Sequence, residues 1–247
     1  FNFFHYSIPM KIQTKTFLID IGNSSIQYSI FDLKKTFNIR HMETKNISSQ
    51  HIKTIFSDAT CLICSVVPEV DELFKKYCNA IFINHKTMSD LKINIKAKEE
   101  LGADRIVTAL AAYKEYGESI IIDSGTAITF CYVDASGTYQ GGAILPGLKI
   151  ASQSLNSHTA KVPLIYVDKI DTLTGKTTKE SVQVGLYHGY QELINGLIKK
   201  YKNLYPEATV IGTGSGLEIY KDIINLNKYD PELIFKGLYL LNNQLNS

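Results

Sequence analysis

Three aspartates and the glycines beside them carry most of the chemistry legible in this chain. Residues 17–24 run Phe-Leu-Ile-Asp-Ile-Gly-Asn-Ser and residues 120–127 run Ile-Ile-Ile-Asp-Ser-Gly-Thr-Ala, so Asp20 and Gly22 recur 103 positions later as Asp123 and Gly125. Each copy is an apolar run, an Asp, one residue, a Gly and a small polar residue, then a second strand-like run. A strand ending this way is expected to turn tightly with its glycine at positive φ. The first turn takes in Ile21, Gly22, Asn23, Ser24, Ser25, Ile26 and Gln27, and the second presents Thr126. Their backbone N–H groups and small polar side chains can face a phosphate. A carboxylate beside such a turn can hold a cation or a metal-bound water. Two such hairpins imply two related halves gripping one polyphosphate, a nucleotide clamp.

The third aspartate lies in Gly102-Ala103-Asp104-Arg105, just ahead of a helical apolar face formed by Ile106, Val107, Leu110 and Ala111. The ordinary reading is a helix cap beside a surface ion pair. The chemical reading is a general base next to a cationic anchor, with Asp104 taking a hydroxyl proton while Arg105 or the helix N-terminus holds an anion. Residues 141–147, Gly-Gly-Ala-Ile-Leu-Pro-Gly, read as a strand end and a turn before a helix. Residues 212–216, Gly-Thr-Gly-Ser-Gly, follow a strand and form a turn on which an adenine or ribose can lie, with a helix expected from about residue 216. Gly175-Lys176-Thr177 resembles the end of a P-loop, but the position five residues earlier is Ile170 rather than Gly, which excludes that motif. Thr178 and Ser181 read there as an ordinary helix start. Cys61 and Cys64 sit in an apolar strand where positions i and i+3 face opposite ways, and no second pair completes a zinc site. They are structural thiols, suited to the cytoplasm.

The 247 residues are 45% apolar and 20% charged, the balance of a globular protein with a real core. The net charge is +2 with basic residues dispersed, which argues against a nucleic-acid partner. No apolar stretch approaches the ~20 residues of a membrane span. Residues 1–9 lack the features of a leader peptide and precede Met10, so they read as upstream read-through. Strands are predicted at 17–22, 26–31 and 37–42, then at 61–67 and 80–84 around a helix at 69–79, with another helix ending near Gly117. The second half repeats the order, with strands at 119–123, 127–133, 138–144 and 208–211, helices at 146–157 and 178–201, and a last helix opened by Asp230-Pro231-Glu232. This is a duplicated α/β architecture, each half a three-strand antiparallel meander plus alternating helix and strand. The halves divide as 16–117 and 118–247, without a linker, and are expected to hinge as rigid bodies.

In order and spacing, these motifs, with Ser65-Val66-Val67-Pro68 between them, resemble the type III pantothenate kinases, within the acetate and sugar kinase, heat-shock ATPase and actin superfamily. The resemblance covers residues 16 to about 240. It implies two ribonuclease H-like (actin-like ATPase) lobes and ATP-dependent phosphorylation of pantothenate, the first step of coenzyme A synthesis. It assigns residues 20–27 and Thr126 to ATP, with Asp20 reaching Mg²⁺ through water. Gly102, Ala103, Asp104 and Arg105 go to pantothenate, with Asp104 as proton acceptor. Asp123 goes to a monovalent cation, K⁺ or NH₄⁺, and Thr178 contacts substrate across the interface of a homodimer. Three departures stand out: Thr177 where the family has Asn, Ser215 interrupting the late Thr-Gly-Gly turn, and no aromatic residue between Ile93 and Glu100. The rival readings are another small-molecule kinase of the superfamily, a non-catalytic regulator resembling Bvg accessory factor, and a chaperone or actin-like filament. Gly102–Arg105 argues against the first and the retention of all three aspartates against the second. The third needs larger insertions than this chain has room for.

Overall fold

The computed structural model describes residues 15–87 and 91–245, so the expectation for residues 1–9 lies outside the described residues. Strands β1 (Thr16–Ile21), β2 (Ser25–Ile30) and β3 (Arg40–Glu43) form an antiparallel meander. Helix α1 (Ser49–Phe56) leads to β4 (Thr60–Ser65), and α2 (Pro68–Tyr77) leads to β5 (Asn79–Phe82), both strands adding in parallel to give the order β3-β2-β1-β4-β5. Proline at the first position of α2 sets its start, with Glu69 and Asp71 in the first turn and Lys75 and Lys76 in the last, the favourable charge order for a helix. After β6 (Lys92–Ile93) comes α3 (Ala103–Tyr116), which ends at Gly117 with φ at +74°.

The second half repeats this plan. Strands β7 (Ser119–Ser124), β8 (Ala127–Val133) and β9 (Thr138–Pro146) form a meander, followed by α4 (Leu148–His158), α5 (Thr178–Leu204), β10 (Thr209–Thr213), β11 (Lys228–Tyr229) and α6 (Leu233–Leu245). The sheet order is β11-β10-β7-β8-β9-β6, with β10 and β11 parallel as β4 and β5 are. The two-residue strands β6 and β11 carry no apolar pattern and were not expected. The helix expected from about residue 216 is instead a short 3₁₀ turn, Ser215–Leu217, opened by Gly214 at φ +84°.

Strand alternation sorts the side chains into three cores. Phe17, Ile19 and Ile21 face an outer core under α1 and α2, with Phe56 and Phe74 at its centre. Ile120 and Ile122 face a second outer core under α5, with Tyr187, Tyr190 and Ile194. Leu18 and Ile121, one residue out of phase, face a central core shared by both sheets. Helices α3 and α6 fill that central layer. Every residue from Ile106 to Ala112 is buried, as a helix flanked by sheets on both sides requires. Helix α6, although from the second half of the chain, packs on α3, β1 and β4. Cys61 lies in the outer core and Cys64 in the central one, so the two thiols diverge as the strand period demands. None of the described helices is long and apolar enough to cross a membrane.

The α3–α6 crossing rests on backbone approach. A side chain on Gly237 would begin 2.3 Å from the carbonyl oxygen of Val107. Helix propensity alone favours Gly→Ala by about 1 kcal/mol. Here overpacking dominates, so Gly237→Ala should destabilise by about 1–3 kcal/mol in denaturant unfolding. A more stable variant would show that the helices are not in contact there.

Candidate active site

The alternation that fills the central core also aims the aspartates. Asp20 shares the face of Leu18, and Asp123 shares the face of Ile121, so both carboxylates leave the ends of β1 and β7 toward the central layer. The N-terminus of α3 lies in that layer and brings Asp104. All three line one cavity of about 1100 Å³ between the sheets. The first turn contributes Gly22, Asn23, Ser24, Ser25 and Gln27, and the second contributes Ser124, Gly125 and Thr126. The two turns meet: the hydroxyls of Ser24 and Thr126 are hydrogen-bonded at 3.0 Å. Gly22 N–H closes on the carbonyl of Ser25, and Gly125 N–H on that of Ala127. Neither glycine takes the positive φ expected of it. A side chain on Gly125 would enter open space, so glycine leaves the cavity mouth clear at that turn.

The late glycine turn is built against Asp123. A side chain on Gly214 would begin 2.3 Å from Asp123 Oδ1 and 2.5 Å from the carbonyl oxygen of Ser124. Thr213, Gly214, Ser215 and Gly216 thus line the cavity beside the second aspartate, with Tyr229, Pro231 and Glu232 beyond them. At residues 215–217 the chain makes only the short 3₁₀ turn in this close approach. At the opposite end the cavity is walled by Leu148, Lys149 and Ile150 and by residues 165–167.

The electrostatics follow from this convergence. Burial raises the Asp20 carboxyl well above its ordinary value, and the charges of Asp104 and Asp123 raise it further, against a hydrogen bond with Cys64. Burial, then the charge of Asp104, pushes Asp123 up to about 7. Burial raises Asp104 as well, opposed by the backbone N–H and charge of Arg105; that N–H donates to Asp104 Oδ1 at 2.8 Å. Among the described residues no lysine or arginine forms an ion pair with Asp20 or Asp123. No three His, Cys, Asp or Glu side chains among them form a closed metal cage. An oxygen-only site of this kind suits a hard cation that completes its shell with water and phosphate oxygens.

The other expected residues lie elsewhere. Ile21 and Ile26 are buried in the outer core and serve the turn only through backbone. Ala103 is buried in the central core, and Gly102 sits behind Asp104. Arg105 points away from the cavity, its Nε donating to Cys131 Sγ at 3.3 Å with the guanidinium over the Tyr139 ring. Thr178 is exposed at the start of α5 and does not line the cavity. Its neighbour Thr177 is the helix cap, accepting from Glu180 N at 3.1 Å while Glu180 accepts from Lys176 N. Cys64, read from sequence as inert, stands against Asp20 because β1 and β4 pair Asp20 with Cys64. His41 and Ile39 at the cavity edge carry no sequence signal.

A family model described as type III pantothenate kinase matches residues 16–200. Curated relatives include the type III pantothenate kinase of Persephonella marina, 36% identical over 244 residues, covering 90% of this chain and 95% of that protein. The enzyme of the same name from Bacillus cytotoxicus is 32% identical over 247 residues, covering 91% and 94%. Among solved structures, a conserved putative Baf family transcriptional activator from Campylobacter jejuni aligns with a TM-score of 0.62 at 21% identity, covering 93% of this chain and 98% of that one. MreB5 of Spiroplasma citri bound to AMPPNP aligns with a TM-score of 0.55 at 11% identity, covering 95% and 97%. At these identities the two structures establish the fold, that of the two-lobed actin-like ATPases.

Between about pH 4 and 7 a carboxyl raised from 3.8 to about 7 holds its proton in the folded protein and loses it in the unfolded chain. Its stabilising effect is therefore full below about pH 4 and is lost as pH rises through about 7. Asp123→Asn removes that loss. The variant should match the wild type near pH 4 and exceed it at pH 8, by up to about 4 kcal/mol. Thermal melts across this range check it, and a variant uniformly less stable at pH 8 contradicts it.

Proposed function

The chain belongs to the type III pantothenate kinase family, and we propose that it transfers the γ-phosphoryl group of ATP to the primary hydroxyl of pantothenate, giving 4'-phosphopantothenate and ADP. The observation that carries this reading is the meeting of three poorly solvated carboxylates and two phosphate-type turns at one cavity. Phosphoryl transfer asks for positioning and charge neutralisation rather than covalent chemistry. The N–H groups and hydroxyls of the two turns would cradle the phosphates, Ser24 and Thr126 exchanging their mutual hydrogen bond for phosphate oxygens. The late turn, residues 213–216, would carry the adenosine end. Asp104 would accept the hydroxyl proton as the new P–O bond forms and the bond to ADP breaks. Its raised pKa makes it a stronger base than an ordinary carboxylate.

Mg²⁺, bridged to Asp20 by water, and K⁺ or NH₄⁺ at Asp123 would supply positive charge. The chemistry of the donors fits a hard cation: the Asp123 carboxylate and the Ser124 carbonyl both lie against Gly214, where no side chain intervenes. Exposed apolar residues support a homodimer. Ile144, Ile150, Leu155, Leu164, Tyr166 and Leu173 cluster in the segment that ends at Thr178. Dimerisation through it would let Thr178 of one protomer complete the other's pantothenate site, with Gly102 and Arg105 at its back. The reading places the enzyme in the cytoplasm, with neither nucleic acid nor membrane as partner.

Asp104→Asn keeps the shape and loses the base. Pantothenate-dependent ADP release should fall about 10²–10⁴-fold, and near wild-type turnover would exclude Asp104 as the base. Mixing this variant with Thr178→Val should restore part of the activity once subunits exchange, because one site per mixed dimer keeps both side chains. Mixtures that exchange yet stay inactive, or a monomer by light scattering, would show that each protomer builds its site alone. Replacing K⁺ or NH₄⁺ by Na⁺ should abolish most activity; equal rates would remove the cation from Asp123.

A further inference from the structure

Helix α4 is seated directly on the second phosphate turn. Its N-cap Gly147 donates its backbone N–H to the carbonyl of Thr126 at 3.1 Å. A side chain on Gly147 would begin 2.5 Å from the carbonyl oxygens of both Gly125 and Thr126. Lys149 follows two residues later and lines the cavity between Leu148 and Ile150. Stability does not account for a lysine there. A cation in the first turn of a helix opposes the helix dipole, and that turn of α4 holds no acidic residue to offset it. Among the described residues no salt bridge engages its ammonium group either.

The sheet order says which substrate this lysine meets. The late glycine turn follows β10, on one side of β7, while β8 and β9 lie on the other. The helix bearing Asp104 packs against β8, where Arg105 reaches Cys131. Asp104 and Lys149 thus share one side of the Asp123 strand, and the turn assigned to adenosine lies on the other. An acceptor whose hydroxyl meets Asp104 has the nucleotide on its far flank, so its remaining atoms extend toward β9 and the start of α4. Asp20, Asp104, Asp123, Glu218 and Glu232 also line this cavity, and among the described residues Lys149 is its only Lys or Arg. Arg105, the anion anchor expected from sequence, is committed to Cys131 Sγ and the Tyr139 ring. An acid entering a cavity lined by carboxylates needs a cation against their repulsion, and Lys149 supplies it.

We propose that Lys149 is a specificity-determining residue: it pairs with the carboxylate of the acceptor and so selects an acid over its neutral analogues. The inference rests on the kinase reading above. Two acceptors test it, pantothenate and panthenol, the second keeping the reacting hydroxyl but carrying CH₂OH in place of the carboxylate. Wild type, Lys149→Met, Lys149→Arg and Lys149→Glu are each measured for kcat, KM for both acceptors and for ATP, and Tm. Where panthenol binds without turnover, its inhibition constant against pantothenate serves in place of its KM. The wild type should favour pantothenate about 10–100-fold in kcat/KM, the scale of a hydrogen bond between charged groups. Lys149→Met should lose that preference through the KM for pantothenate, with panthenol kinetics, the KM for ATP and Tm unchanged. Lys149→Arg should keep most of the preference, and Lys149→Glu should reverse it. An unchanged acid-to-alcohol ratio in Lys149→Met overturns the proposal. Equal losses with both acceptors also overturn it, since they would put Lys149 on the phosphates or on the fold. A wild type that responds to pantothenate but owes no selectivity to Lys149 removes this inference alone. One that releases no ADP with pantothenate removes the kinase reading and this inference together.

Discussion

Mutual repulsion among three carboxylates in one poorly solvated cavity is the constraint on which this architecture turns. Asp20, Asp104 and Asp123 come from the two sheets and the helix between them, and their charges disfavour one another where water screens little. No local hairpin can hold three such groups together. It takes two outer cores to anchor the sheets and a central layer to fix the end of α3. The large apolar investment of the chain, with Leu18, Ile106, Val107, Ile121 and Phe235 in the central core, supports this placement.

The two halves of the chain are joined by polar contacts in two places. At the site end the bridge is the hydroxyl pair of Ser24 and Thr126, weak enough to yield to a competing oxygen. In a second place Glu115 accepts from Lys35 and Lys236, and Lys236 also binds the buried Asp230, which accepts from Tyr116 as well. This network sits beside Gly117, where the first half of the chain passes into the second.

How much of this was legible depended on whether the signal was local. The paired Asp-x-Gly turns, both meanders and α3 are written as apolar periodicity and turn chemistry, and they stand where the sequence predicts. The two-residue strands β6 and β11 are defined by backbone pairing alone and leave no pattern. Where a regular helix is expected after residue 216 there is a 3₁₀ turn packed on Asp123 and Ser124, which lie nearly a hundred residues earlier and leave no local signal. Arg105 shows the same limit: its position at the helix start was readable, but its turn toward Cys131 and Tyr139 depends on β8 and β9. For Cys64 the sequence did hold a usable signal, since two adjacent parallel strands place it opposite Asp20 once their register is known.

The return of α6 to the first sheet has a consequence for how the molecule is made. A ribosome delivers β1 and β4 long before residues 233–245, yet Leu18 and Leu62 share their core with Leu233, Phe235 and Leu238. The first lobe therefore emerges with part of one face uncovered and keeps it so until residues 233–245 have been made. Folding of this kind pays a long loop closure before its reward, and the waiting surface is apolar, the sort that chaperones retain. Although the two halves look like copies of one ancestral unit, neither is a freestanding piece. A protein cut near Gly117 would yield two sticky fragments rather than two small domains.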